Sequence, residues 1–236
     1  MPYGYYGFYW MDYTYIFVII GAVICLIASA GMNSTFSRYQ RVRSMSGMTG
    51  AMAAERILRD AGIHDVQVQH VSGNLTDHYN PMNKTLSLSD SVYNSTSVAA
   101  VGVAAHECGH AVQHARAYAP LTMRSKLVPV VSFASNIMTW VLLGGILMLN
   151  TFPQLLLAGI ILFAMTTLFS FITLPVEINA SKRALVWLSS SGITNARNHT
   201  QAEDALRSAA YTYVVAALGS LATLVYYIMI FMGRRE

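Results

Sequence analysis

The sequence predicts a mainly α-helical membrane protein with about four transmembrane helices and one small α+β lobe outside the bilayer. Three observations predict this class. Hydrophobic residues make up 54% of the 236 residues and charged residues only 11%, whereas soluble domains carry about 25% charged residues. Four apolar segments are long enough to cross a hydrocarbon core about 30 Å thick. The polar residues are concentrated in two blocks between those segments.

Each of the four apolar segments lacks Lys, Arg, Asp and Glu along its whole length. Charged side chains are costly in hydrocarbon, so this composition is typical of transmembrane helices and not of helices in a large soluble core. The segments are approximately residues 15–32, 127–149, 155–174 and 214–232. We therefore predict four membrane spans.

The distribution of basic residues predicts the orientation of these spans. Thirteen of the fifteen Lys and Arg residues lie in residues 33–126 and 175–213, which the positive-inside rule places in the cytoplasm. Residues 1–15 contain seven Tyr or Trp side chains and no basic residue, which favours an interfacial aromatic belt over a secretory signal peptide. Arg234 and Arg235 are the exceptions, because a four-span chain places them outside. A last segment that only re-enters the bilayer would place them inside.

These patterns divide the chain into five regions. They are an aromatic N-terminus with the first transmembrane helix (1–33), a cytoplasmic lobe (34–126), a transmembrane hairpin (127–174), a cytoplasmic loop or helix (175–213), and the last transmembrane helix with its tail (214–236). The basic residues form no stripe interleaved with aromatic residues, so nucleic-acid binding has no support. The two cysteines, Cys25 and Cys108, form no disulfide framework, which agrees with a reducing compartment.

The first half of the cytoplasmic lobe alternates between helical and strand-like patterns. Residues 49–60 are rich in alanine and predict a helix with Thr49 as its N-cap, ending near Gly62. Alternating apolar and polar residues predict strands at 64–71 and 85–89, separated by a turn that contains Asn and Pro.

The second half of the lobe is a predicted helix that carries the most informative motif of the chain. Residues 95–116 are small and apolar, which predicts a helix capped by Ser95 or Ser97. Within it, His106 and His110 stand four residues apart. On a helix their imidazoles lie about 40° apart around the axis and can hold one metal ion.

Glu107 directly follows the first histidine, in the pattern His-Glu-x-x-His. There it can act as general base on a water bound to zinc, because zinc lowers the pKa of that water to about 7. Cys108 lies two residues from His106, about 200° around a helix, and is expected to face away from the metal. The alternative for so short a motif is a chance pair of solvent-facing histidines. The helical and membrane context favours a zinc site.

A catalytic zinc ion needs a third protein ligand and an open position. The carboxylates after Glu107 are Glu177, Glu203, Asp204 and Glu236. Glu177 lies two residues after Pro175, which we place in the first turn of a new helix. Spacing alone leaves two interpretations of Glu177 open. It is either a zinc ligand or a solvated residue stabilised by the helix dipole.

Several ordered motifs of this chain resemble the YugP-like family of bacterial membrane zinc metallopeptidases. They are the zinc motif itself and residues 75–81, 91–94, 97–106, 174–177 and 209–214. The resemblance extends from about Ser34 to the last span. It implies a zincin-like lobe with a gluzincin-type site, in which His106, His110 and Glu177 hold one Zn²⁺ per chain. It also implies membrane peptidase activity.

The chain is similar, more distantly, to the HtpX-like membrane metalloproteases. That similarity implies an Asp four residues after the ligand Glu, where it would support the first zinc histidine, but Ser181 stands there. Ser181 and Asn179 are therefore the candidates for supporting hydrogen bonds. His114 would lie about 12 Å along the axis from His106, too far for a shared ion, and a surface or supporting position is expected for it.

Contacts with a substrate are less specifically indicated. Residues 85–89 are predicted mainly as an ordinary core strand, with an exposed edge that adds a substrate strand as the alternative. Tyr211, Tyr213 and His78 are candidate donors to an oxyanion, although structural or interfacial roles are favoured for each.

Together, these patterns predict a membrane-embedded zinc-dependent endopeptidase with Glu107 as its catalytic base. It would hydrolyse membrane proteins or peptides at the cytoplasmic face of a bacterial plasma membrane, and an oligomer or a regulatory membrane partner is compatible with the sequence. A site-2-type intramembrane protease is disfavoured, because no later span contains an Asp. A non-catalytic zinc scaffold or chaperone is disfavoured too, because structural zinc usually has four protein ligands and no adjacent base.

Overall fold

The computed structural model describes residues 15–233. In chain order its elements are α1 (Tyr15–Tyr39), α2 (Gly50–Asp60), β1 (Gln67–His70), β2 (His78–Asn80), β3 (Thr85–Leu88), α3 (Asp90–Tyr93), α4 (Val98–Ala115), α5 (Ala119–Leu147), α6 (Gln154–Ser190) and α7 (Ala196–Gly233). Within this range α1, α5, α6 and α7 are long and apolar enough to cross a membrane. The mainly α membrane class is therefore confirmed. The predictions for residues 1–14 and for the basic pair 234–235 lie outside the described residues.

The four long helices extend beyond the apolar segments that predict them. α1 continues past residue 32 to Tyr39, α5 begins at Ala119, and α7 begins at Ala196, well before the apolar run at 214–232. The hydrocarbon thickness limits only the apolar part of a helix. A more polar extension still satisfies its own backbone hydrogen bonds, so the helix continues where it can pack.

The structure differs from the sequence prediction at Pro175, which lies inside α6 and not in the first turn of a new helix. A proline inside a helix removes a backbone hydrogen bond and costs roughly 3 kcal/mol. Val176, Ala180 and Ala184 follow it at four-residue spacing and are buried, so they form one apolar stripe. Burial of this stripe stabilises the helix through the proline. Region 175–213 is therefore mostly helical.

One of the two compact units comprises the described chain up to Ala28, Leu127–Phe171, and the chain from Tyr213 onward. In this unit α5 and α6 pack around a buried cluster that includes Leu142, Leu156 and Ile160. Gly145 allows the two helices to approach closely, because a Cβ atom at this position would lie 2.5 Å from the Leu156 Cα. Such small residues are typical of contacts between transmembrane helices.

The second unit comprises Ser29–Lys126 and Ile172–Thr212, and it contains the lobe. Its three-stranded sheet has the order β1-β3-β2, with β1 parallel and β2 antiparallel to β3. Leu86 and Leu88 of β3 are fully buried in the lobe core. The interpretation of residues 85–89 as a core strand is confirmed, and the alternative of an exposed edge is wrong, because β3 is the central strand.

The capping residues in the sequence correctly predicted where the two lobe helices α2 and α4 begin. The Thr49 side chain accepts a hydrogen bond from the Met52 backbone N–H and caps α2, which ends two residues before Gly62. Gly62 has φ +73°, a conformation that favours glycine. Ser97, and not Ser95, caps α4 by accepting from the Ala100 N–H.

Candidate metal centre

Helix α4 carries both histidines of the sequence motif on one face. The helix begins at Val98 directly after its Ser97 cap, and its small apolar residues bury most of its surface in the lobe core. The His106 and His110 ring centroids lie 4.9 Å apart with an interplanar angle of 86°. The four-residue spacing thus brings the two imidazoles together, as helical geometry requires.

Glu177 approaches the same point from α6. Its Oε2 lies 3.2 Å from His106 Nε2 and 3.5 Å from His110 Nε2. The Glu177 side chain is only 4% exposed. One ligand atom from each of the three residues lies within 4.8 Å of the others. Two nitrogens and a carboxylate oxygen that converge in this way form the His₂Glu donor set that suits zinc.

A close contact between α4 and α6 brings Glu177 to the histidines. Gly109 lies between His106 and His110, and a Cβ atom on it would lie 2.7 Å from the Ala180 backbone oxygen. No side chain fits in that space, so glycine is the residue that allows the two backbones to touch. The motif glycine therefore has a structural role that its sequence position alone does not reveal.

Each histidine uses its second ring nitrogen for a hydrogen bond inside the protein. His106 Nδ1 lies 3.0 Å from Ser181 Oγ, and His110 Nδ1 lies 3.0 Å from Gln113 Oε1. Such bonds orient metal-binding imidazoles. Both Nε2 atoms therefore remain directed at Glu177, and this arrangement fits a metal ion.

Of the two residues that the sequence analysis named as supporting partners, only one contacts a motif histidine directly. Ser181 contacts His106 directly, whereas Asn179 contacts Gln113, with its Oδ1 3.0 Å from Gln113 Nε2. Sequence reasoning missed Gln113, although it lies three residues after His110 and so on the same helical face.

Arg124 is a second residue that sequence reasoning missed. Its Nη2 lies 3.7 Å from Glu177 Oε1, and its side chain is about one-third exposed. The Nε of Arg124 is buried without a hydrogen-bond partner among the described residues. Fifty-three positions separate Arg124 from Glu177 along the chain, so the sequence carries no local signal for this pair.

Burial and charge act in opposite directions on His110. Burial lowers its pKa, but the hydrogen bond to Glu177 and the charges of Glu107 and Glu177 raise it, and the net shift is upward. Glu107 itself is buried, with 9% exposure. The base predicted from the motif thus lies within electrostatic reach of His110.

Cys108 faces away from the histidines, as its angular position on the helix predicts. It is fully buried, and its Sγ donates to the Ala54 backbone oxygen of α2 at 3.6 Å. Burial, together with the charge of Glu107, raises the pKa of the Cys108 thiol well above its ordinary value. A buried neutral thiol is a poor metal ligand.

The remaining candidate residues lie elsewhere in the fold. His114 is exposed, as the surface alternative expects, and its Nδ1 lies 2.8 Å from the Tyr79 hydroxyl. His78 lies on the edge strand β2, where its Nδ1 is 2.8 Å from the Thr76 backbone oxygen. Tyr211 and Tyr213 are 63% and 43% exposed on α7. An oxyanion role for His78, Tyr211 or Tyr213 stays a prediction.

Four membrane-length helices and a largely buried His₂Glu cluster, with a glutamate next to its first histidine, define the class of membrane metallopeptidases. Comparison with known proteins agrees with this class. The family model described as "Putative neutral zinc metallopeptidase" matches residues 14–232. The "Putative membrane protease YugP" of Bacillus subtilis (strain 168) is 43% identical over 223 residues, which cover 94% of this chain and 98% of that protein. No solved structure matches the chain.

The chain therefore belongs to this zinc metallopeptidase family, as the sequence motifs predicted. It is an enzyme of the zinc metallopeptidase class and a membrane protein. Membership in the family implies zinc as the cofactor and a peptide as the substrate.

Proposed function

We propose that this protein is a zinc-dependent endopeptidase that cleaves membrane proteins or peptides at the cytoplasmic face of the bacterial plasma membrane. In this proposal His106, His110 and Glu177 hold one Zn²⁺ per chain, and Glu107 is the catalytic base. The observation that carries it is the convergence of His106 Nε2, His110 Nε2 and a Glu177 oxygen within 4.8 Å. Three ligands leave a fourth position open, which distinguishes catalytic from structural zinc sites.

Each side chain of the proposed site has a separate role in hydrolysis. Bound zinc would supply Lewis-acid polarisation and a lowered pKa for water. Glu107 accepts a proton from the attacking water and transfers it to the leaving amine, so that water adds across the C–N bond as that bond breaks. Ser181 and Gln113 hold the two imidazoles in place during this exchange. Glu177 is buried, so bulk water does not reach the carboxylate that would bind the metal.

The basic residues of the lobe support the cytoplasmic placement of the site. Residues 33–126 and 175–213 contain thirteen of the fifteen Lys and Arg residues, and they also contain all four proposed site residues. The positive-inside rule assigns both regions to the cytoplasm. In the five-region organisation that we propose, region 34–126 contributes the two histidines and the base, and region 175–213 contributes the third ligand.

Two substitutions test the catalytic assignment. Glu107→Gln keeps the ligands and removes the base, so we expect retained zinc and a loss of cleavage of about 10²- to 10⁴-fold. Glu177→Ala is expected to lose zinc as well as activity. Purified full-length protein in detergent would be assayed for zinc by mass spectrometry and for cleavage of fluorescein-labelled casein. Glu55→Gln is the matched control, because Glu55 is exposed on α2.

Three results would contradict the assignment. Cleavage by the Glu107→Gln variant at the wild-type rate excludes Glu107 as the base. Full zinc occupancy in Glu177→Ala excludes the third ligand. A wild-type protein that binds zinc but cleaves neither casein nor solubilised membrane proteins is not an endopeptidase.

A separate labelling experiment tests the cytoplasmic placement. Met82 is 93% exposed in the lobe, so a Met82→Cys variant offers an accessible thiol. In intact cells a membrane-impermeant maleimide should leave this thiol unlabelled, and labelling should appear after the cells are lysed. Labelling in intact cells would place the lobe outside.

A further inference from the structure

Gln113 is completely buried on α4 and makes three hydrogen bonds. Its Oε1 lies 3.0 Å from His110 Nδ1, and its Nε2 donates to the Val176 backbone oxygen at 2.8 Å and to Asn179 Oδ1 at 3.0 Å. A backbone carbonyl can only accept hydrogen bonds. The Val176 carbonyl therefore fixes the amide of Gln113, with its NH₂ group towards α6 and its oxygen towards His110.

A hydrogen bond from Arg183 fixes the orientation of the Asn179 amide. Arg183 Nε donates to Asn179 Oδ1 at 2.7 Å. A guanidinium has no acceptor atom and stays charged at every accessible pH. Asn179 must therefore present its oxygen to Arg183, and the same oxygen then accepts from Gln113. A rotated amide would place NH₂ against two donors and lose both bonds.

The four residues form a chain of hydrogen bonds with one possible direction. Arg183 donates to Asn179, and Gln113 donates to Asn179 and to Val176, so the Gln113 oxygen is left facing His110, from which it can only accept a hydrogen bond. His110 must then carry its proton on Nδ1. Its Nε2 faces Glu177 Oε2, 3.5 Å away, and is the nitrogen left to bind a metal.

We propose that Gln113, Asn179 and Arg183 are positioning residues that commit His110 Nδ1 to donating a hydrogen bond, so that Nε2 is the nitrogen that binds the metal. This inference rests on the proposed zinc site and adds three residues that act through His110. Ser181 gives His106 no such direction, because a hydroxyl both donates and accepts. Of the two histidines, His110 is thus the one whose Nδ1 can only donate.

Arg183 offers the clearest test because it lies farthest from the ligands and is only partly buried. Removing its donor by Arg183→Met leaves Asn179 held by Gln113 alone, so one of the two bonds that orient the Gln113 amide is weakened while the bond to Val176 remains. Loss of such a supporting partner weakens metal affinity by about 10- to 100-fold when it contacts the ligand directly. For this more distant residue we expect the Zn²⁺ dissociation constant to rise by about 3- to 10-fold, below that range.

A second substitution separates this mechanism from a general structural effect. Aspartate has two oxygens and no NH₂ group, so Asn179→Asp accepts from Gln113 whether or not Arg183 is present. In the double variant Asn179→Asp with Arg183→Met, zinc affinity should return to within about twofold of wild type. Lys182→Met is the matched control, because it removes the same charge from the adjacent, exposed position.

The measurement is the dissociation constant for Zn²⁺ of the full-length protein in detergent, obtained by competition with a chromophoric chelator. It requires no peptidase activity. Weaker binding in Arg183→Met, recovery in the double variant and unchanged binding in Lys182→Met support the proposal. Wild-type affinity in Arg183→Met overturns it, and so does failure of Asn179→Asp to restore affinity or equal weakening by Lys182→Met. A wild-type protein that binds no zinc refutes the proposed function itself.

Discussion

Gly109→Ala is the substitution whose outcome depends most directly on the contact between α4 and α6. In an isolated helix this change stabilises by about 1 kcal/mol, because alanine has the higher helix propensity. In this protein the new Cβ would lie 2.7 Å from the Ala180 oxygen and 3.0 Å from the Ala180 Cα. Unstrained contacts between such atoms are about 3.5 Å or longer, so the two backbones must separate by roughly 0.5 to 1 Å.

That separation has two measurable consequences. Overpacking of this kind costs typically about 1–3 kcal/mol, which equals or exceeds the gain in helix propensity. We therefore expect the free energy of unfolding to fall by about 1 kcal/mol, the middle of a net range of roughly 0 to 2 kcal/mol. Glu177 also moves away from the histidines, because it is carried by the helix that is displaced. The affinity for Zn²⁺ should then fall by at least about 10-fold, as expected when a ligand is displaced from its geometry.

Gly102→Ala on the same helix is the control. Its Cβ would lie 4.0 Å from the Ala202 Cβ, an ordinary van der Waals contact. This variant should be as stable as wild type or more stable, with unchanged zinc affinity. Thermal unfolding in detergent and chelator competition would measure both properties. If Gly109→Ala behaves like Gly102→Ala in both assays, the close contact does not determine the geometry of the site.

Three further predictions concern single side chains. Ser181→Ala removes the partner of His106 and should weaken zinc binding by about 10-fold, whereas Ser181→Asp, which can only accept, should match or exceed wild-type affinity. Equal affinities in both variants would contradict a supporting role. Cys108 should resist a water-soluble maleimide in the folded protein and react after unfolding, as detected by mass spectrometry; rapid labelling of the native state would contradict its burial. Thr49→Ala removes the cap of α2 and should lower the free energy of unfolding by about 1 kcal/mol without a change in zinc content. An unchanged unfolding midpoint would show that the cap contributes nothing.

The features that the sequence predicts correctly are those that depend on neighbours along the chain. Apolar length determines which segments can span a membrane, so all four spans are visible in the sequence. Thr49 and Ser97 cap helices that begin one residue later, and the His106–His110 pair depends only on helical spacing. These signals remain valid whatever the rest of the chain does.

The features that the sequence does not predict depend on contacts between distant segments. Arg124 comes to the site only because α5 and α6 meet there. Gln113 shares a helical face with His110, but its bonds to Val176 and Asn179 depend on the contact between α4 and α6, which no local pattern predicts. Pro175 shows the opposite error. A local rule predicts a helix start there, but the buried stripe that follows the proline stabilises one continuous helix. Tertiary packing here overrides a local preference.

The separation of the ligands along the chain also has a consequence for biosynthesis. His106 and Glu177 are 71 positions apart, and two of the predicted membrane spans lie between them. At synthesis rates of about 5–20 residues per second, the histidines leave the peptidyl-transfer centre roughly 4 to 14 seconds before Glu177 is made. During that interval the nascent chain has the proposed base and two of the three proposed ligands. In the proposed site, the last ligand follows the two segments that must enter the bilayer, so the enzyme becomes able to cleave peptides only after its own membrane hairpin has been synthesised.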